Sequence, residues 1–205
     1  MLAGLYPICD VDSLERVGVA PLAFVEAVLE ARPALLQLRA KSWPRERVRA
    51  LAQSLLPRMG EVPLVINDDV TLARELGAWL HVGQGDATEL PGIAHFGRST
   101  HTLAQLEQAL TEHPTYVAYG PVYPTRSKQN PDPCVGIEGL TAARARAGTT
   151  PLCAIGGIDR DRLREVAKYT DLIAVIGALV HPEIAEIRAR ALEFSEIVAE
   201  ARSCC

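Results

Sequence analysis

The stretch LCAIGGIDRDRLREVAKYTDLIAVIG, residues 152–177, reads as one complete structural unit. Leu152–Ile155 is apolar on successive residues, as is Leu172–Ile176. Unbroken apolar runs of this length fit parallel strands covered on both faces. Asp159–Lys168, between them, begins with a carboxylate and ends with a base, which suits the dipole of a helix. Gly156-Gly157 follows the first run and Gly177 the second. The unit is therefore strand, glycine turn, helix, strand.

The same alternation extends to the rest of the chain. Six further apolar runs lie at Leu5–Cys9, Leu35–Leu38, Pro63–Ile66, Trp79–Val82, Ala94–Gly97 and Tyr116–Val122. Helical patterns occupy Leu22–Ala31, Arg45–Met59 and Leu103–Leu110, and Glu183–Ala201 is a long amphipathic segment. Eight apolar runs, alternating with helical patterns over 205 residues, predict an α/β fold of the (β/α)8 TIM-barrel type. Residues 1–205 are expected to form a single domain, with 183–205 as its C-terminal helix and tail. The rival is a doubly wound open sheet, but the first run leads into CDVDSLERVG and not into a GxGxxG loop. About 250 residues is typical of such barrels, so the loops should be lean.

Composition narrows the function. A net charge of −4 argues against nucleic acid or an anionic membrane as the main partner. The five cysteines include no CxxC pair and are odd in number, which favours a reducing cytoplasm over a disulfide framework. No run approaches the roughly 18 apolar residues of a membrane helix, and the N-terminus lacks signal-peptide character. A homo-oligomer is an allowed assembly.

Barrel chemistry collects at the C-terminal ends of the strands. There the sequence places Gln37, Arg39 and Lys41, then Asn67, Asp68 and Asp69. Next come His81 and Asp86, then Ser99 and His101, then Thr125, Ser127 and Lys128, and finally Gly157 and Gly177. Gln37, Arg39 and Lys41 alternate and so share one side of an extended segment. Asp68 and Asp86 are hard oxygen donors on adjacent strands. Mg2+ prefers two carboxylates completed by substrate phosphate oxygens. Arg39, Lys41 and Lys128 would neutralise a diphosphate. The glycines would admit a phosphate to backbone N–H groups. Plainer roles compete with these. Asp68 and Asp69 are both potential helix caps, Ser99 and Thr102 likewise. Gly156-Gly157 also reads as a turn, Arg39 and Lys41 as solvated charges, and His81 as a core histidine.

The motifs QLRAK, INDD, HVGQGD, RSTHT, GPVYPTRSK with VGIEGL, and AIGGI occur in this order between Leu5 and Ile184. In that order they resemble the thiamine phosphate synthase family. The resemblance implies a transferase that joins 4-amino-2-methyl-5-(diphosphomethyl)pyrimidine to a thiazole phosphate, releasing diphosphate. It implies Mg2+ held by Asp68 and Asp86. It implies diphosphate binding by Arg39, Lys41, Asn67, Ser99 and Lys128, with Lys41, Ser99 and Lys128 in catalytic roles. Gln37 matches the residue that contacts the pyrimidine. Thr125, Ser127, Gly157 and Gly177 match the thiazole phosphate site. The chain departs from the family pattern at Cys9, Arg98, Cys134 and Gly177. GRS followed by histidine also occurs in a sister family, thiazole tautomerase, a metal-free isomerase in which a residue matching His101 moves a proton. A non-catalytic module that binds a thiamine precursor is a third reading.

Overall fold

A computed structural model describes residues 2–83, 90–125 and 133–203. In chain order the elements begin β1 Gly4–Asp10, α1 Val11–Arg16, α2 Pro21–Leu29, β2 Leu36–Arg39, α3 Arg45–Leu55, β3 Leu64–Asn67, α4 Val70–Leu76 and β4 Trp79–Val82. They continue with β5 Phe96–Thr100, α5 Leu103–Leu110, β6 Tyr116–Tyr119, α6 Gly136–Ala147, β7 Leu152–Ile155, α7 Arg160–Val166, β8 Leu172–Val175 and α8 Ile184–Ser203. Short 3-10 turns cover Leu56–Arg58 and Gly177–Leu179.

The eight strands pair in sequence order, all parallel, and β1 returns to β8 through Leu5↔Ile173 and Tyr6↔Ala174. The open-sheet rival is thereby replaced by a closed barrel. Side chains alternate across each strand. Tyr6, Ile8, Val65, Tyr116, Ala118, Cys153, Leu172 and Ala174 pack together inside the barrel, joined by Leu35. The other parity, including Leu5, Leu36, Leu38, Ile66, Leu80 and Val117, packs outward beneath the helices. Successive apolar residues within each run thus serve two separate cores.

Three helices were not drawn out by the sequence reading: α1, α4 and α6. The first two are only 6 and 7 residues long, too short to display a helical period. Asp10 and Asp69 start them, each accepting a hydrogen bond from the N–H three residues on. The fifth strand begins later than its apolar run and takes in Arg98, Ser99 and Thr100. Arg98 belongs to the outward parity. Its guanidinium is paired with Glu112 and donates to the Gly83 carbonyl, which explains an arginine inside a strand.

The long α8 packs against α2 and α7 and closes the helical ring. Phe24 of α2 is fully buried in this outer core. Phe24→Ala should cost about 3–5 kcal/mol. For a chain of this size that lowers the melting temperature by on the order of 10 °C, measurable by differential scanning calorimetry.

Candidate functional site

The C-terminal ends of the strands open into a cavity of about 880 Å3. Gln37, Arg39, Lys41, Asn67, Asp68, Ser99, Thr125, Gly157 and Gly177 all line it, from elements spread around the whole barrel. Asp86, Ser127 and Lys128 lie outside the described residues.

One side of the cavity, over β1 to β5, is charged. Asp10 is almost completely buried and ion-paired with Arg39. It also accepts from the Ser13 N–H at 3.0 Å and the Ser13 hydroxyl at 2.6 Å, so one carboxylate starts α1 and anchors the guanidinium. Arg39 is therefore a fixed cation and not a solvated one. The Lys41 ammonium lies 2.5 Å from Asp68 Oδ2, which also accepts from the Asn67 amide at 2.7 Å. Lys41 is 56% exposed, so this pair faces the open cavity. A pair so exposed is worth no more than about 1 kcal/mol to the fold. Its placement matters more for what enters the cavity.

The two adjacent aspartates divide the two readings of the sequence between them. Asp69 is the helix cap: its Oδ1 accepts from the Leu72 N–H at 2.8 Å and its Oδ2 from Arg45 at 2.6 Å. Asp68 caps nothing. It adopts φ 63°, in the left-handed region, which turns its side chain toward Asn67 and Lys41. Such a conformation in a residue other than glycine carries strain that the surroundings must hold in place. Thr102 rather than Ser99 is the other cap, in a reciprocal arrangement with Gln105.

The opposite side, over β6 to β8, combines backbone and apolar surface with Thr125, Asp159 and Arg162. Gly156 and Gly157 have φ 103° and 62°. A Cβ at Gly156 would lie 2.5 Å from Pro121, and one at Gly157 2.4 Å from the Pro124 carbonyl oxygen. The chain after β6 therefore passes directly over the glycine pair. Arg162 donates to the Gly157 carbonyl at 2.6 Å and stacks on the Tyr123 ring. Gly177 opens a 3-10 turn, whose first N–H has no partner within the turn.

The sequence reading missed Tyr6 and Tyr116, which count as apolar positions in their runs, and placed His81 among the strand-end polar residues with a core histidine as its plainer role. All three are buried, and the Tyr116 hydroxyl is hydrogen-bonded to both Tyr6 and His81. Burial lowers the His81 pKa to about 4. Burial likewise raises the Tyr6 and Tyr116 phenols far above their usual range. Each of these groups is uncharged near neutral pH.

The family model described as thiamine monophosphate synthase matches residues 5–179. The chain belongs to the thiamine monophosphate synthase family. A thiamine-phosphate synthase of Koribacter versatilis is 37% identical over 211 residues, covering 96% of each chain. One from Neisseria meningitidis serogroup A is 38% identical over 163 residues, 75% of this chain and 80% of that one. The solved thiamine phosphate pyrophosphorylase of Pyrococcus furiosus superposes with a TM-score of 0.81 at 28% identity, covering 97% of this chain and 96% of the other. Members of this family are transferases, and the closed barrel and its order of strands fit that membership.

Two predictions separate scaffold from site. Asp69→Ala should cost about 1 kcal/mol of stability through the lost cap, read by urea denaturation, and leave turnover of the folded protein within about threefold. His81 binds a proton below pH 6.5 when unfolded but only near pH 4 when folded. The unfolded state therefore takes up protons first, and stability should fall as pH drops through that window. His81→Gln should flatten the decline in pH-dependent melting.

Proposed function

We propose that the chain condenses 4-amino-2-methyl-5-(diphosphomethyl)pyrimidine with a thiazole phosphate, giving thiamine phosphate and diphosphate. The observation that carries this reading is the Arg39–Lys41–Asn67–Asp68 cluster, cationic and carboxylate groups together at one side of a cavity large enough for two small substrates. A second anion would sit on the opposite side, against the backbone at Gly157 and Gly177 with Thr125 nearby.

The residues would act as follows. The Gln37 amide, at the cavity floor, orients the pyrimidine. Arg39 and Lys41 neutralise the diphosphate, with Ser99 donating a hydrogen bond. The bond between the pyrimidine methylene and the diphosphate oxygen breaks, and its electron pair leaves on the diphosphate. The electron-rich aminopyrimidine spreads the positive charge left behind. The thiazole nitrogen then supplies the pair for the new carbon–nitrogen bond. No protein nucleophile is required. Cys9 and Cys153 are buried, and burial raises their thiol pKa values, so they are poor nucleophiles. Lowering the charge on the departing group and holding two reactants together account for rate enhancement of this type.

The donor set suits Mg2+. Asp68 offers a hard oxygen to the cavity beside cations that would bind a phosphate. Phosphate oxygens and waters would complete the shell of such an ion. Asp68, together with Asp86, would hold the ion, which when bound would withdraw charge from the leaving diphosphate.

Incubation with both substrates and Mg2+ should yield thiamine phosphate and diphosphate, and a chelator should abolish the reaction. A folded protein that forms no product would overturn the proposal. Asp68→Ala, Lys41→Ala and Lys128→Ala should each reduce kcat/KM at least tenfold, about 1.4 kcal/mol in the barrier. A chelator-resistant reaction that depends on His101 would instead indicate an isomerase.

A further inference from the structure

A continuous line of hydrogen bonds crosses the barrel interior beneath the cavity. The Gln37 Nε2 lies 2.8 Å from Tyr6 Oη, which lies 2.8 Å from Tyr116 Oη. Tyr116 Oη lies 2.9 Å from His81 Nδ1, and His81 Nε2 lies 2.8 Å from Ser99 Oγ. The line runs from β2 through β1, β6 and β4 to β5. Its ends, Gln37 and Ser99, both line the cavity, on opposite sides of the buried rings.

The rings are held in place by packing. Tyr6 and Tyr116 meet edge to face at 5.7 Å, and His81 stacks against Tyr116 at the same separation. Gly97 stands beside Tyr116 in the ladder, and a Cβ there would fall 2.1 Å from the ring. Glycine at this position is what lets the Tyr116 ring lie across the interior.

The line has a direction. An amide NH2 only donates, so Tyr6 Oη accepts from Gln37. With that bond made, the assignment that gives every buried hydroxyl proton an acceptor has Tyr6 donating to Tyr116 and Tyr116 donating to His81 Nδ1. A neutral imidazole has a single N–H, which then sits on Nε2 and is donated to Ser99. The Ser99 proton is consequently turned away from His81. Rotating the Gln37 amide by a half-turn would reverse every bond and commit the Ser99 proton to His81.

We propose that Tyr6, Tyr116 and His81 are positioning residues that orient the Ser99 hydroxyl as a donor to the anionic leaving group, under control of the Gln37 amide. This rests on the function proposed above. A ring amine that donates to Gln37 Oε1 holds the amide in the observed orientation. Recognition of an aminopyrimidine at one end therefore prepares the hydrogen-bond donor for its diphosphate at the other.

The first test needs no substrate. In protein labelled with 15N-histidine, His81, assigned by comparison with His81→Gln, should show an unprotonated Nδ1 and a protonated Nε2. The opposite tautomer would overturn the proposal. The second test is a double-mutant cycle on kcat. Tyr116→Phe keeps the ring and removes the hydroxyl, and it should slow turnover about tenfold with folding intact by circular dichroism. In a Ser99→Ala background it should have almost no further effect. Multiplicative losses would show that Tyr116 acts independently of Ser99, against the proposal. Failure of the wild-type protein to make thiamine phosphate would remove the leaving-group role, whereas the tautomer measurement tests the relay on its own.

Discussion

Closure of eight parallel strands forces alternate side chains into one narrow interior, and the rest of the molecule follows from how that space is filled. Toward the strand starts the inward positions are apolar, with Val65 and Leu172 among them. Toward the strand ends they become polar: Gln37, Arg39, Asn67, His81 and Ser99 all have inward parity. A buried polar group without a partner costs about 1–3 kcal/mol. The interior answers by bonding these groups to each other, and the tyrosine hydroxyls bridge the gap between opposite walls. The floor of the cavity is consequently an ordered hydrogen-bonding surface.

The two acid–base pairs at the mouth show how environment assigns roles. Asp10 and Arg39 are largely removed from solvent, at 3% and 20% side-chain exposure. Removing either partner would strand a buried charge, a loss of about 3–5 kcal/mol in comparable cases. That pair is part of the scaffold as well as the site. Lys41 and Asp68 are far more exposed and contribute little to folding. An exposed pair can exchange partners cheaply when an anion and a cation arrive, which is the property a charge-binding site requires. The left-handed backbone at Asp68, maintained beside a neighbour that does the capping, fits the same division.

Much of this was legible in the sequence. Eight apolar runs gave the strands, because parallel barrel strands are covered on both faces and read as continuous hydrophobic segments. The spacing of Gln37, Arg39 and Lys41 gave their common orientation. What stayed hidden has physical causes. Short helices such as α1 and α4 end before a 3.6-residue period can show. Tyr6 and Tyr116 resemble hydrophobic residues in a strand pattern, and only the three-dimensional meeting of their hydroxyls, 110 residues apart, gives them a polar task. The partner of Arg39 was likewise invisible, since Asp10 lies on a different strand. Parity did hold the clue to Tyr6, Gln37 and His81, which all point inward.

The glycine pair after β7 shows how one local feature can satisfy two demands. Positive φ at Gly156 and Gly157, and the close passage of Pro121 and Pro124, require glycine whether or not an anion ever binds there. The residue type is therefore explained by packing, and the anion site proposed there rests on position: the turn lies at the C-terminal end of its strand and lines the same cavity as the charged cluster. The overlying chain also brings Thr125 to that wall. One crossing of the backbone thus fixes the glycine conformation and shapes the side of the cavity opposite Lys41. Two anionic substrates would be kept apart by the width of the barrel, with their uncharged reacting ends meeting over the apolar and tyrosine-lined floor.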